Sequence, residues 1–317
     1  MSLIYFIVQQ TMFFSIPLLI VALGGMFSER SGVINIALEG IMIMGGFTGI
    51  LFINVFQEAI PGQPVLLIAV LVSVITGITV SLLHGYASIN MKANQIISGT
   101  AINMLAPALA IYIARQIRTV QQIPFTNQFR IGKVPVLGSI PVIGPLLFQN
   151  TYLTTYLGFL ILIVSALILY KSRFGLRLRS CGEHPQAADS AGINVYKMRY
   201  AGVMISGALA GLGGLVFVIP TSTQFNAEVS GYGFLALAVL IFGQWRPGRI
   251  LAAAIFFGLM KAVSSSYSGI DFIKDIPIPS YVYKMIPYIA TLIVLAFSSK
   301  KSQAPRAEGI PYDKGSR

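Results

Sequence analysis

The chain has 317 residues and a formal net charge of +12, yet only 10% of its residues are charged against 55% hydrophobic, and its mean hydropathy is +0.77. A soluble domain carries roughly 25% charged residues, so composition excludes an ordinary soluble protein and points to one polytopic membrane domain without a separate soluble block. The 22 Lys and Arg residues sit in short loops and near the C-terminal end rather than along an amphipathic face, which argues for membrane topology over nucleic-acid binding.

The first ten residues, MSLIYFIVQQ, lack the basic stretch of a cleavable leader, so the first apolar segment is expected to stay as an anchor. Apolar runs predict nine segments, at 8–27, 34–56, 64–88, 95–115, 151–171, 200–221, 231–244, 249–267 and 281–298. The expected fold is an all-α membrane helix bundle of about 8–10 helices, formed by residues 1–299 and followed by a polar tail, 300–317. The segment 231–244 is short for a bilayer of about 30 Å and suits a tilted, discontinuous or re-entrant helix.

Between the first two runs lies FSERSGVINIALEG, residues 27–40. Ser28 to Gly32 is expected to form the turn, with Glu29 and Arg30 solvated or paired with each other. Asn35 and Glu39, four apart, are expected to share a face of the next helix and to look onto a wet cavity or a partner rather than lipid. Gly45 with Gly49, Gly207 with Gly211 and Ala210 with Gly214 recur at the same spacing, which suits close helix packing. Asn94, Ser98 and Asn103 stud the fourth segment, and Gln224, Phe225, Asn226 and Glu228 follow the sixth. These positions are candidates for a translocation route, Phe225 as aromatic surface and the rest as polar groups, with interhelical hydrogen bonding as the alternative for any single Asn or Ser.

Basic residues set the orientation. Lys171, Arg173, Arg177, Arg179, Lys197 and Arg199 flank one loop, Arg246 and Arg249 mark a turn, and Lys300, Lys301, Arg306, Lys314 and Arg317 fill the tail. All three stretches are expected to be cytoplasmic, which places the Pro-rich connection 116–150 and the N-terminus outside. Within the loop of about 172–199, Pro185 at a first helical position, Gln186 to Ala191, and Gly192 as a terminator predict one short helix.

Chemistry of other kinds is absent from the sequence. No G-x-x-x-x-G-K-[ST] loop occurs, so this polypeptide is not its own ATPase. His84 and His184 lie far apart without a metal-ligand neighbour, no hydrolase motif is present, and Cys181 is expected to be a reduced bystander. Neither a catalytic residue nor a cofactor or metal is expected.

Two signature stretches, GGMFSERSGVINIALEGIMIMGGF (24–47) and SCGEHPQAADSAGINVYKMRYAGVMISGALAGLGG (180–214), resemble the permease subunits of bacterial nucleoside-type ABC importers, relatives of the ribose and branched-chain amino acid permeases. NQIISGTAINMLA (94–106) and GYGFLALAVLIFGQWRPGRILAAAIFFGLMKA (231–262) extend the likeness. The resemblance implies a route-forming subunit in the bacterial inner membrane. It would work with a second related permease, separate subunits that bind and hydrolyse ATP, and an extracytoplasmic substrate-binding lipoprotein. It also implies that Gly182, Glu183, His184, Pro185, Ala187, Ala188, Asp189, Ala191, Gly192 and Ile193 form the element that docks on the ATPase, with the three alanines as a small packing face. A sugar such as ribose would suit the same polar and aromatic inventory. The rival outside this family is a stand-alone secondary transporter, for which Glu39 is the best coupling carboxylate.

Overall fold

The computed structural model describes residues 2–126, 128–141, 143–266 and 303–315, with scattered positions between 282 and 292. The predicted segment 281–298 therefore falls largely outside the described residues, as do Lys300, Lys301 and Arg317. Among the described residues ten α-helices follow in order: α1 (Ser2–Arg30), α2 (Leu38–Phe56), α3 (Gln63–Gly85, extended by a π turn, Tyr86–Asn90), α4 (Gln95–Arg118), α5 (Leu153–Lys171), α6 (Arg173–Glu183), α7 (Pro185–Ser190), α8 (Val195–Thr221), α9 (Tyr232–Phe242) and α10 (Pro247–Ser266). Among the described residues seven of these are long and apolar enough to cross a membrane, and α9 is a shorter apolar helix. Among the described residues sheet is confined to two antiparallel pairs, β1 (Ile123–Pro124) with β4 (Gln224–Phe225) and β2 (Arg130–Lys133) with β3 (Gln149–Tyr152).

Helices α1, α2 and α8 run through the middle, and α3 crosses α2 and α8 on one side. Small residues let these backbones touch. A Cβ on Gly45 would lie 2.4 Å from Gly211 Cα, one on Gly77 would lie 2.1 Å from the Gly207 carbonyl, and one on Gly214 would lie 1.9 Å from the Met42 carbonyl. Lipid supplies no hydrophobic drive for helix association, so this close approach and bonds such as Ser73 Oγ to the Gly45 carbonyl, 2.8 Å, hold the centre together. Around it, α3, α4 and α5 present exposed apolar side chains outward, among them Leu71, Ile75, Ile97, Met104, Ile163 and Leu167.

Three boundaries differ from the sequence expectation. Helix α1 continues through Glu29 and Arg30 instead of turning at Ser28, because both side chains find partners at the helix end. Helix α2 starts at Leu38, so Asn35 lies in the turn before it and shares no helix face with Glu39. The loop 172–199 holds two helices rather than one, since Ser172 caps α6 by accepting from the Gly175 amide at 3.0 Å. Gly175 tucks under the end of α5, where a Cβ would lie 2.2 Å from the Ile168 carbonyl, so the chain can fold back there.

The traverses place α6, α7, the α1–α2 turn, the turn after α9 and residues 303–315 at one end of the bundle. At the other end Gln9 donates to the Pro145 carbonyl, Asn54 to the Pro124 carbonyl and Gln63 to the Phe129 carbonyl, gathering 119–152 above α1, α2 and α3.

Candidate functional site

At the first end, separate segments are interlocked. Helix α7 begins at Pro185 and is capped by His184, whose Nδ1 accepts from the Ala187 amide at 3.2 Å. Gly192 ends it with φ +80°, and Ile193 N–H returns to the Ala188 carbonyl at 3.0 Å, an arrangement that favours glycine after a helix. Ala188 packs inward beside Cys181, Val195 and Tyr312, whereas Ala187 and Ala191 face outward. The three alanines therefore do not form one face: neighbouring residues point about 100° apart on a helix. Glu183, His184, Gln186, Ala187, Ser190 and Ala191 make the exposed surface of this element. Burial pushes the Cys181 thiol up, which keeps it a thiol.

Residues 303–315 cross this end as a strap. Ala307 N–H donates to the Gly182 carbonyl at 2.8 Å and Gly309 N–H to the Gly32 carbonyl at 3.2 Å. Arg199, only 1% exposed, donates from Nη1 to the Ile310 carbonyl at 3.0 Å. Gly32 sits against it with φ +94°, and a Cβ there would lie 2.9 Å from Arg199 Nη2. Tyr312 meets Tyr196 edge to face, and the hydrogen bond from Lys92, 2.9 Å away, holds the Asp313 carboxyl low. Glu29 is neither solvated nor paired with Arg30. It is buried, accepts from the Trp245 indole N–H and shares a hydrogen bond with Glu308, whose own carboxyl is pushed up by burial. Arg30 instead reaches Glu183 at 3.5 Å and the Trp245 carbonyl at 3.3 Å.

Deeper in the bundle the short helix α9 begins. Asn35 bonds Ser206 and Gly214 lies against Met42, so Glu39 between them sits about halfway along the 27 residues of α8. Its carboxylate accepts from Gly231 N–H at 2.9 Å and Gly233 N–H at 2.6 Å, the first amides of α9. A carboxylate here satisfies amides that a buried helix start leaves without partners, and it complements the positive end of the helix dipole. The chain from Ser222 to Ser230 thus descends from the far end of α8 to mid-bundle, and α9 completes the traverse. This is a discontinuous segment. Gln224, Phe225, Asn226, Glu228 and Ser230 line a cavity of about 220 Å³ beside it, walled on α8 by Phe217, Val218 and Thr221.

The predicted route residues fall into two groups. Gln224, Phe225 and Asn226 meet at that cavity, with Phe225 also resting against Phe47. The others join helices or, in Asn94, cap one. Asn35 donates to Ser206 Oγ at 2.9 Å, and Asn94 caps α4 by accepting from the Ile96 and Ile97 amides. Ser98 Oγ meets His84 Nδ1 at 3.1 Å, and Asn103 clamps the start of α2 by accepting from Gly40 N–H at 2.7 Å and donating to the Ile36 carbonyl at 2.8 Å. Sequence reasoning missed Trp245, Ser206 and Glu308. Trp245 had a signal, as the single tryptophan of the chain beside a basic turn. Glu308 had none, because its surroundings read as an ordinary polar tail.

Comparison with known proteins accords with this architecture. A family model described as the permease component of branched-chain amino acid transport systems matches residues 7–295. The chain is 45% identical to the guanosine ABC transporter permease protein NupQ of Bacillus subtilis, over 98% of this chain and 97% of that protein. It is 40% identical to the nucleoside ABC transporter permease protein NupC of Lactococcus lactis subsp. cremoris, over 97% and 96%. It is 29% identical to the putative glucose ABC transporter permease protein TsgC13 of Haloferax volcanii, over 91% and 90%. No solved structure matches.

Proposed function

This chain belongs to the family of permease components of branched-chain amino acid transport systems, and on that premise we propose that it forms part of the route by which an ATP-driven importer passes nucleosides inward. The observation that carries the proposal is the discontinuous segment: a half-helix whose buried start is held by Glu39, with a polar and aromatic cavity at its mouth. Broken helices of this kind place backbone dipoles and turn residues where a solute must pass. Gln224 and Asn226 offer hydrogen bonds suited to a ribose or base edge, and Phe225 offers apolar surface for the base. NupQ and NupC, whose names specify guanosine and nucleosides, support that cargo, while a sugar remains the second reading because TsgC13 is named for glucose.

A cavity of about 220 Å³ is smaller than the roughly 300–1,000 Å³ of a complete ligand pocket. A second, related permease would supply the facing wall. ATP would be bound and hydrolysed by separate subunits that dock on α7 and its flanks, Gly182 to Ile193. From there the Glu183–Arg30 pair and the Trp245–Glu29 bond lead into α1 and α9. The end carrying α6, α7 and 303–315 would be cytoplasmic, with its basic residues on the side that the positive-inside rule requires. Residues 119–152 would face an extracytoplasmic binding lipoprotein. A stand-alone secondary transporter fits less well, since both Glu39 oxygens are engaged by backbone amides of α9 and serve as a fixed cap rather than as an exchanging ion site.

The test is uptake of labelled guanosine by cells carrying the assembled transporter, challenged with unlabelled nucleosides, ribose and glucose. Competition by nucleosides alone, abolished by ATP depletion, is expected. Uptake that persists without ATP and collapses with the ion gradient would overturn the reading.

A further inference from the structure

A second cavity, of about 830 Å³, opens at the α6 and α7 end between α5 and the start of α10. Among the described residues its wall carries the guanidiniums of Arg30, Arg179, Arg246, Arg249 and Arg306 and one carboxylate, Glu183. That leaves a surplus of four positive charges in one concavity. Glu183 bonds Arg30 at 3.5 Å and is itself half exposed, and Arg179 lies over the Tyr170 ring at 5.1 Å. The Nε atoms of Arg30 and Arg179 are buried without a hydrogen-bond partner among the described residues. Like charges gathered this closely repel, and buried donors without acceptors are costly, so the wall is complementary to an anion with several acceptor oxygens.

One side of the cavity identifies that anion further. Ala166 and Tyr170 of α5 line it, and the exposed stripe Leu160, Ile163 and Leu167 runs away from them along the same helix. Side chains three and four apart share a helix face, so the arginines stand where an outward apolar face ends at a tyrosine. A soluble anion has no use for the apolar stripe, whereas a phosphodiester with acyl chains uses both parts.

We infer that this cleft binds an anionic phospholipid, its phosphate held by the arginines and its acyl chains lying along α5. Guanidinium groups match phosphate oxygens two at a time, and basic pockets between membrane helices are suited to acidic headgroups. Because Glu183 belongs both to this wall and to the docking element and pairs with Arg30 of α1, bound lipid would brace α6 against α1 and α10. The inference stands on the cavity and the apolar stripe of α5 and does not depend on the cargo.

The experiment is mass spectrometry of lipids retained by the full-length chain, purified from nanodiscs containing equal dioleoylphosphatidylglycerol and dioleoylphosphatidylcholine. Preferential retention of phosphatidylglycerol is expected. Arg246→Gln with Arg249→Gln, both exposed and therefore tolerable for folding, should lower it by about tenfold or more, and the matching lysine pair should retain part of it. Arg173→Gln with Arg177→Gln, on exposed α6 positions outside the cavity, is the control. Equal loss in that control would show a diffuse surface charge effect and overturn the proposal. Displacement of the lipid by millimolar inorganic phosphate would assign the site to a free anion. Exclusion of lipid from the assembled transporter, with cross-linking of Arg249→Cys to the ATPase, would assign the wall to a protein partner. Either result would also overturn it.

Discussion

At the α7 end the 303–315 strap donates main-chain bonds to the Gly182 and Gly32 carbonyls and accepts a bond from buried Arg199 at the Ile310 carbonyl, and buried Glu29 and Trp245 tie the helices behind it. At the far end the fastenings are two short strand pairs and a few amide side chains, and a polar cavity lies beside β4 and the end of α8. The difference suits a lever. If the first end is the ATPase dock proposed above, it would transmit force only by moving as one body, and its main-chain bonds and buried side chains suit that. On the same proposal a solute would enter at the second end, where Gln224 and Asn226 face a cavity. Glu39 stands between, fixing the start of α9 to α2 at mid-bundle.

The largest test of this contrast is Gly182→Val. A Cβ at Gly182 would lie 2.4 Å from the Arg30 carbonyl, and backbone cannot yield as a flexible side chain can. Overpacking of this kind costs about 1–3 kcal/mol or more, and loss of both transport and nucleoside-stimulated ATPase is expected in reconstituted vesicles. Normal stimulation would mean that the interlock is not part of the coupling path.

Glu39→Ala comes next. It leaves the Gly231 and Gly233 amides without their acceptor, at about 1–3 kcal/mol for an unsatisfied buried group. Thermal denaturation in detergent should show the loss, with Glu39→Gln intermediate because one amide oxygen remains to accept. Equal behaviour of the two variants would contradict the capping role.

At the far end, Gln224→Ala or Asn226→Ala should raise the KM for nucleoside uptake by roughly three- to tenfold each, as expected for a hydrogen bond of about 1 kcal/mol, while basal ATPase stays unchanged. A fall in maximal rate without a change in KM would place these residues outside the route.

The smallest effect concerns the strap. The Glu308 carboxyl is raised by burial, so docking favours its protonated form. The Glu308 contribution should weaken as pH rises through its raised value, whereas the Lys92–Asp313 bond, with its carboxyl held low, is lost only as pH falls below the ordinary carboxylate range. Limited proteolysis of 303–315 across pH reads this out, and Glu308→Gln should flatten the profile while keeping the strap docked.

Sequence made some of this plain and hid the rest for physical reasons. Helix α7 was legible because Pro185 and Gly192 are local signals, and the close packing of α2 with α8 was legible in the spacing of Gly45, Gly207, Gly211 and Gly214. The break before α9 was foreshadowed by the shortness of 231–244. Its partner was not, because Glu39 lies 192 residues from Gly231 and backbone amides leave no trace in side-chain chemistry. The same holds for the strap, whose bonds run through Ala307 and Gly309 main chain. Helix α6 looks like loop in sequence because Arg173, Arg177 and Arg179 dominate its composition, although Leu178 and Cys181, three apart, mark an inward face.

The most direct measurement is nucleoside-stimulated ATP hydrolysis by the assembled transporter carrying Glu183→Lys together with Asp189→Lys. Coupling through the surface of α7 and its flanks predicts that basal hydrolysis persists while stimulation and uptake are lost together. Stimulation and uptake at the unmodified level would contradict it.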